Sequence, residues 1–314
     1  MKFSTLLCAA GLCAAATAPA LAYDLPAVNL GGTSFYDGMP APSGPGWYGI
    51  EYLTFITASR LNDAQGQRLA LPQQKIDLFL PITQLIYAAP TKWYGMQPGV
   101  TALLPVLAHA KVQDGLGNAA LKGTTGVGDV TLGAFLQFDP VMGANGPVFS
   151  HRLEFDVIAP IGRYDPTNAI NPGSNFWSLD PHWAFTAWAT PKLSFSGRLH
   201  YLWNGRNRDP ATSFGPGVTS TRAGQAAHAN FTAEYAIREG FSVGLNGYWL
   251  RQTTDTQANG ADVAGRKERV WAVGPGLVYA FSKESSIFVN LYSEQGARNR
   301  AEGTRLVVRF NQHF

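Results

Sequence analysis

The stretch that most constrains the fold is residues 304–314. Side chains alternate across a strand, so Leu306, Val308, Phe310 and Phe314 share one face while Arg305, Arg309, Asn311 and His313 share the other. One face suits hydrocarbon and the other suits water. A strand that runs to the final residue and stops on Phe needs a partner, because free termini fray unless tied down. The economical partner is the first strand of the same chain. Closure leaves no edge, and a closed sheet that is apolar outside and polar inside is one of the two architectures that span a bilayer.

Composition agrees with that expectation. The chain is 46% hydrophobic and only 14% charged, where about 25% is usual. Alternation hides such hydrophobicity from a running average, and mean hydropathy is -0.06. Beyond the first residues no stretch approaches the roughly 18 uncharged apolar residues of a membrane helix. Residues 1–22 carry Lys2, an apolar run from Phe3 to Ala16 and the ending Ala20, Leu21, Ala22, the pattern of a secretory signal peptide cleaved before Tyr23. Cys8 and Cys13 both fall inside it, so the exported chain is expected to have no disulfide. The net charge of +3 is scattered, which gives no footprint for nucleic acid.

Residues 23–46 place Pro26, Pro40, Pro42 and Pro45 among glycines, with no sustained period, and are expected to form an irregular arm long enough to enter a lumen. Beyond it, period-two segments recur near 47–59, 74–87, 93–107, 128–138, 148–158, 180–190, 193–203, 226–237, 241–252, 269–281, 285–295 and 304–314. They predict an all-β fold, a transmembrane antiparallel β-barrel of about 12 strands over residues 47–314. Short connections at 88–92, 191–192, 238–240 and 282–284 alternate with long ones at 60–73, 108–127, 159–179, 204–225 and 253–268. Outer-membrane barrels have short periplasmic turns and long outer loops, so both termini are expected to be periplasmic, in the outer membrane of a Gram-negative bacterium. Outward aromatics fall at two heights, as two lipid–water interfaces require. Tyr235, Phe241, Tyr279, Phe281, Phe310 and Phe314 lie near the short turns; Tyr201, Trp203, Trp249 and Trp271 lie near the long loops.

Five motifs in order carry a resemblance. They are Gly126, Val127, Gly128, Asp129 and Val130; Pro160, Gly162 and Tyr164; Asn175, Trp177 and Pro181; Val243, Gly244, Tyr248 and Gln252; and Gly274, Pro275 and Tyr279. Together they resemble a family of Gram-negative outer-membrane proteins associated with the meta pathway of phenol degradation. That resemblance implies passive uptake of small hydrophobic or aromatic compounds, with outer-membrane lipid and an apolar or aromatic solute as partners and no cofactor. The terminal strand, with Leu306, Val308, Phe310 and Phe314, also looks like the signal read by the barrel-assembly machinery, although Gln312 departs from it.

For the interior, alternation assigns Glu51, Asp77, Asp129, Arg152, Glu154, Asp156, Arg198, His200, Glu234, Arg305 and Arg309 inward. These form either a ladder of cross-strand pairs or a selective constriction. Phe79, Phe135, Trp188, Tyr248, Phe288 and Tyr292 are also assigned inward, as surfaces on which an apolar solute stacks. Closure of the last strand on the first is expected to bring Arg309 near Glu51. Ala272, Gly274, Gly276 and Ala280 leave one strand bare, with the arm as the nearest segment to cover it. There is no Gly-x-Ser-x-Gly elbow or His-Glu-x-x-His helix, and the six histidines (His109, His151, His182, His200, His228, His313) lack metal-ligand spacing. No catalytic residue and no metal is therefore assigned, while Ser150 or Ser196 meeting His200 or His228 across strands remains open. The expected function is an outer-membrane channel for small hydrophobic or aromatic compounds. A general porin and a lipid-modifying barrel enzyme are the alternatives.

Overall fold

The structure, a computed structural model, describes residues 23–314; the expected signal peptide lies outside the described residues. Among these residues no helix is long and apolar enough to cross a membrane. The wall is built from strands β1 Gly46–Leu61, β2 Lys75–Ala88, β3 Met96–Leu107, β4 Val130–Phe138, β5 Gly146–Ala159, β6 His182–Thr190, β7 Leu193–Asn204, β8 Ala226–Arg238, β9 Phe241–Gln252, β10 Arg269–Ala280, β11 Ser285–Arg298 and β12 Ala301–His313. Each pairs antiparallel with its neighbour, and β12 returns to β1, so the sheet is closed. Short segments such as His109–Gln113 on β2 and Ser178–Leu179 beside β5 and β7 extend the wall at its long-loop end. Positions 102, 132, 153, 195, 199, 231, 245 and 291 alternate outward with Ala, Leu or Phe, and nearly all of them are exposed. So continuous an apolar belt is a surface for lipid rather than water. Its two rims are aromatic: Phe241 stands opposite Tyr279 at the short-turn end and Trp249 opposite Trp271 toward the long loops.

Short and long connections alternate as the sequence implies, with one exception. The β11–β12 connection at the long-loop end is only Asn299 and Arg300. Above the wall, Arg206–Asn207, Thr221–Arg222, Thr256–Ala258 and Ala261–Val263 form a second sheet from two of the long loops.

Three inward assignments, Glu51, Asp77 and Phe79, are corrected at the first hairpin. The closing register sets Tyr52 opposite Arg309 and Glu51 opposite Phe310. Glu51 therefore points outward near the short-turn rim, where it accepts a hydrogen bond from Thr83 Oγ1 at 2.7 Å, and the expected Arg309–Glu51 pair does not form. Phe79 likewise faces outward and stacks on Phe55, with ring centroids 4.6 Å apart, and Asp77 turns outward toward Lys75. Polarity misleads here because β1 and β2 are apolar on both faces. The inward face presents Ile50, Ile56, Ile76, Leu78, Leu80 and Ile82.

The inward face is apolar because the lumen is filled. Residues 23–45 pass through it from one end to the other. At the long-loop end Arg266 Nη2 donates to Asp24 Oδ1 at 2.6 Å, and Tyr23 lies beside Ala301. At the opposite rim Ser43 Oγ donates to the carbonyl of Lys283 in the β10–β11 turn. The ends of the wall, Gly46 and His313, do meet at the short-turn end. Tyr23, the first described residue, stands at the other end.

Candidate functional site

Between those rims the arm is tied to inward side chains at each level. The amide of Gly31 donates to Asn230 Oδ1 at 2.7 Å, Tyr292 Oη donates to the Gly31 carbonyl at 3.0 Å, and Asn290 Nδ2 donates to Ser34 Oγ at 3.0 Å. Lower down, Gln137 Nε2 and Ser150 Oγ both donate to the Gly38 carbonyl, at 2.8 and 2.9 Å. The central tie is ionic. Arg198 donates through Nε to Asp37 Oδ2 at 2.9 Å and through Nη2 to Oδ1 at 2.6 Å, a bidentate fork that fixes both planes.

The inward charges thus serve the arm more than they serve each other. Arg305 donates to the Leu30 carbonyl at 2.8 Å and lies 3.8 Å from Glu294. Glu154 does form a wall pair, with Arg152 Nε at 3.3 Å and His182 Nε2 at 3.4 Å. Glu234 is buried and accepts from Ser194 Oγ at 3.2 Å.

The inward rings are covered rather than free for a solute to stack on. Tyr248, Tyr292, Phe135 and Phe288 are all buried. Arginines occupy several of their faces: Arg309 lies 3.6 Å from the Phe288 centroid, Arg152 5.0 Å from Phe135 and Arg305 5.3 Å from Tyr248. Trp188, opposite Ser194 at the short-turn end, is half-buried. The bare strand β10 has a physical reason. Asn246 and Asn290 hydrogen-bond to each other at 2.7 Å over Gly276, where a Cβ would lie 1.8 Å from Asn246 Nδ2.

What remains open is a cavity of about 330 Å³ toward the long loops. Leu78, Leu80 and Ile82 of β2, Leu103 and Leu107 of β3, and Ile158 of β5 make its wall, with Val28 and Leu30 of the arm facing them. Its polar floor holds Glu154, Asp156, Arg198, His200 and Asp180. Of the sequence candidates, Asp129, Glu154, Asp156, Arg198, His200 and Arg305 reach this cavity. The aliphatic wall was missed because inward positions were sought by polarity. The available signal was the loss of alternation over residues 76–86, since a membrane strand apolar on both faces needs an apolar interior to meet.

Histidines scattered in sequence meet in space. Register sets His182 opposite His200 and His200 opposite His228 on three adjacent strands. The open serine arrangement is accounted for by other partners: Ser150 is held by Gly38, and Ser196 Oγ lies 2.8 Å from Thr186 Oγ1.

These features define a class, an outer-membrane β-barrel whose own N-terminal segment threads the lumen. Residues 58–310 match the model of the family described as "Putative MetA-pathway of phenol degradation", and the chain belongs to that family. Its fold is similar to the crystal structure of an outer membrane channel from Pseudomonas putida F1, with TM-score 0.75 and 20% identity over 92% of this chain and 100% of that one. Weaker likenesses include the translocator domain of the autotransporter NalP from Neisseria meningitidis (TM-score 0.45, 9% identity, 86% of this chain and 89% of that one). The TodX deltaS2S3 mutant monoaromatic hydrocarbon channel gives TM-score 0.44 and 11% identity over 93% of this chain and 100% of that one. At those scores neither bears on function. No curated protein matches the sequence.

Proposed function

We propose that the protein is an outer-membrane channel for passive uptake of small hydrophobic or aromatic compounds, and that residues 23–46 are a luminal arm that keeps it narrow. The observation that carries this reading is the cavity. Its aliphatic wall suits a flat apolar molecule, with a polar group of that molecule directed toward the charged floor, and about 330 Å³ exceeds the roughly 150 Å³ that accommodates benzene in an engineered apolar cavity. A general porin gains nothing from such a wall or from an arm tied at every level of its lumen. The short-turn rule supports periplasmic ends for the wall and, with them, a cavity that faces the outside. The direct test is saturation-transfer NMR with toluene on the detergent-solubilised barrel. Toluene contact is expected in the wild type and is expected to fall sharply in Leu80→Asn/Ile82→Asn; equal transfer in both proteins, or none in the wild type, would remove the cavity from the account.

A further inference from the structure

The histidine row has chemistry that uptake of an apolar solute does not use. Ring centroids of His182 and His200 are 4.5 Å apart, and those of His200 and His228 are 4.0 Å apart. Asp180, in the connection just before β6, faces two of the rings: its Oδ2 lies 3.1 Å from His200 Nδ1 and its Oδ1 3.2 Å from His228 Nε2. All four side chains are buried, and Asp180 and His200 border the cavity.

Left to themselves, these groups are poorly satisfied. A neutral imidazole offers one donor and one acceptor. His182 faces other carboxylates, Glu154 at 3.4 Å and Asp156 at 3.5 Å, but among the described residues His200 Nε2 and His228 Nδ1 have no hydrogen-bond partner. Buried polar atoms are nearly always paired, so two orphan nitrogens on stacked rings beside one carboxylate mark a place where a further ligand belongs.

We propose that Asp180, His200 and His228 bind a divalent transition-metal ion of the Zn²⁺ class at the floor of the lumen cavity. Each residue can offer one ligand atom, and these atoms lie within 4.8 Å of one another, a spread that an ion with bonds of about 2.0–2.2 Å can draw together. Imidazole with carboxylate suits Zn²⁺ and its neighbours, whereas Ca²⁺ and Mg²⁺ favour oxygen donors alone. The surrounding charge agrees. Glu154 and Asp156 stand beside His182, and the nearest cations are engaged, Arg198 by Asp37 and Arg152 by Glu154. Two histidines and one carboxylate leave one position of a tetrahedral ion free, and the cavity borders two of the three ligands.

The test uses the whole barrel in detergent, stripped with a chelator and titrated with Zn²⁺ alone by calorimetry and with Co²⁺ alone by visible absorption. One ion per chain is expected, with the intense absorption of four-coordinate Co²⁺. His228→Ala and Asp180→Asn are each expected to weaken binding by at least about tenfold. His313→Ala, at the opposite rim, is expected to bind as the wild type does, and heat-modifiable migration reports whether each variant has folded. If His228→Ala fails to fold, anomalous diffraction of the wild type at the zinc edge decides, with a peak expected between His200 and His228. Equal affinity in all folded variants, no saturable binding, or an anomalous peak elsewhere overturns the proposal.

Discussion

Replacing Asp37 by alanine removes from the arm the carboxylate that neutralises Arg198 in the middle of the lumen. Both residues are 8% exposed and joined by two hydrogen bonds, so the docked arm of the variant would hold Arg198 largely buried at the edge of the cavity without its partner. Breaking a buried pair in this way costs about 3–5 kcal/mol. Glu154 also acts on Arg198, so the lower end, about 3 kcal/mol, is the reasonable figure. That cost falls on the docked state alone, because Arg198 regains water once the arm leaves. Docking should therefore weaken by roughly a hundredfold. The ties at Gly31, Ser34 and Gly38 remain, so we expect frequent excursions of the arm rather than its complete release. Hydrogen exchange of the amides of residues 34–38 should accelerate by about the same hundredfold, and planar-bilayer recordings should show more frequent openings. Arg198→Ala combined with Asp37→Ala should recover much of the loss, since the orphan charge is gone. Unchanged exchange in Asp37→Ala, or a double variant as loose as the two single losses summed, would refute this account of docking.

Three further outcomes follow from the same geometry. Gly38 has φ of +82°, and a Cβ there would lie 2.6 Å from the backbone of Ala184, so Gly38→Ala should lift the arm from β6 and speed exchange of its amides at least tenfold, about 1–2 kcal/mol. Leu245 is 54% exposed midway between the aromatic rims; Leu245→Arg should destabilise the barrel by about 2–4 kcal/mol in urea unfolding from liposomes. Leu80→Asn/Ile82→Asn should slow whole-cell uptake of an aromatic hydrocarbon by about tenfold through lost apolar contact of about 1–2 kcal/mol, and leave a sugar of equal size unaffected.

The outer half of the molecule was legible because lipid imposes one rule on every strand. Leu199, Phe231 and Leu245 obey it, and the strand boundaries and the two aromatic rims follow. The inner face has no such uniform solvent. Where polar wall meets lumen, as on β7 with Ser194, Ser196, Arg198 and His200, polarity points the right way. Where the wall meets the arm or the cavity, as on β1 and β2, it does not, and Glu51 and Phe79 were turned the wrong way. Tyr248 and Phe288 were correctly aimed inward, yet their seats under arginines depend on neighbouring strands that no single segment reveals. The histidine row left one trace. His182 and His200 stand nine residues on either side of Pro191, so a hairpin turning there makes them cross-strand neighbours. His228 joins only through the register that the β7–β8 pairing sets across a long loop.

The most direct measurement of the central claim is entry of two solutes of equal size, a labelled aromatic hydrocarbon and a sugar, into cells lacking the gene and into the same cells carrying it. The account predicts that the gene speeds entry of the aromatic compound and leaves the sugar unchanged, and that deleting residues 24–45 lets the sugar through as well. Equal acceleration of both solutes by the wild-type protein would contradict it.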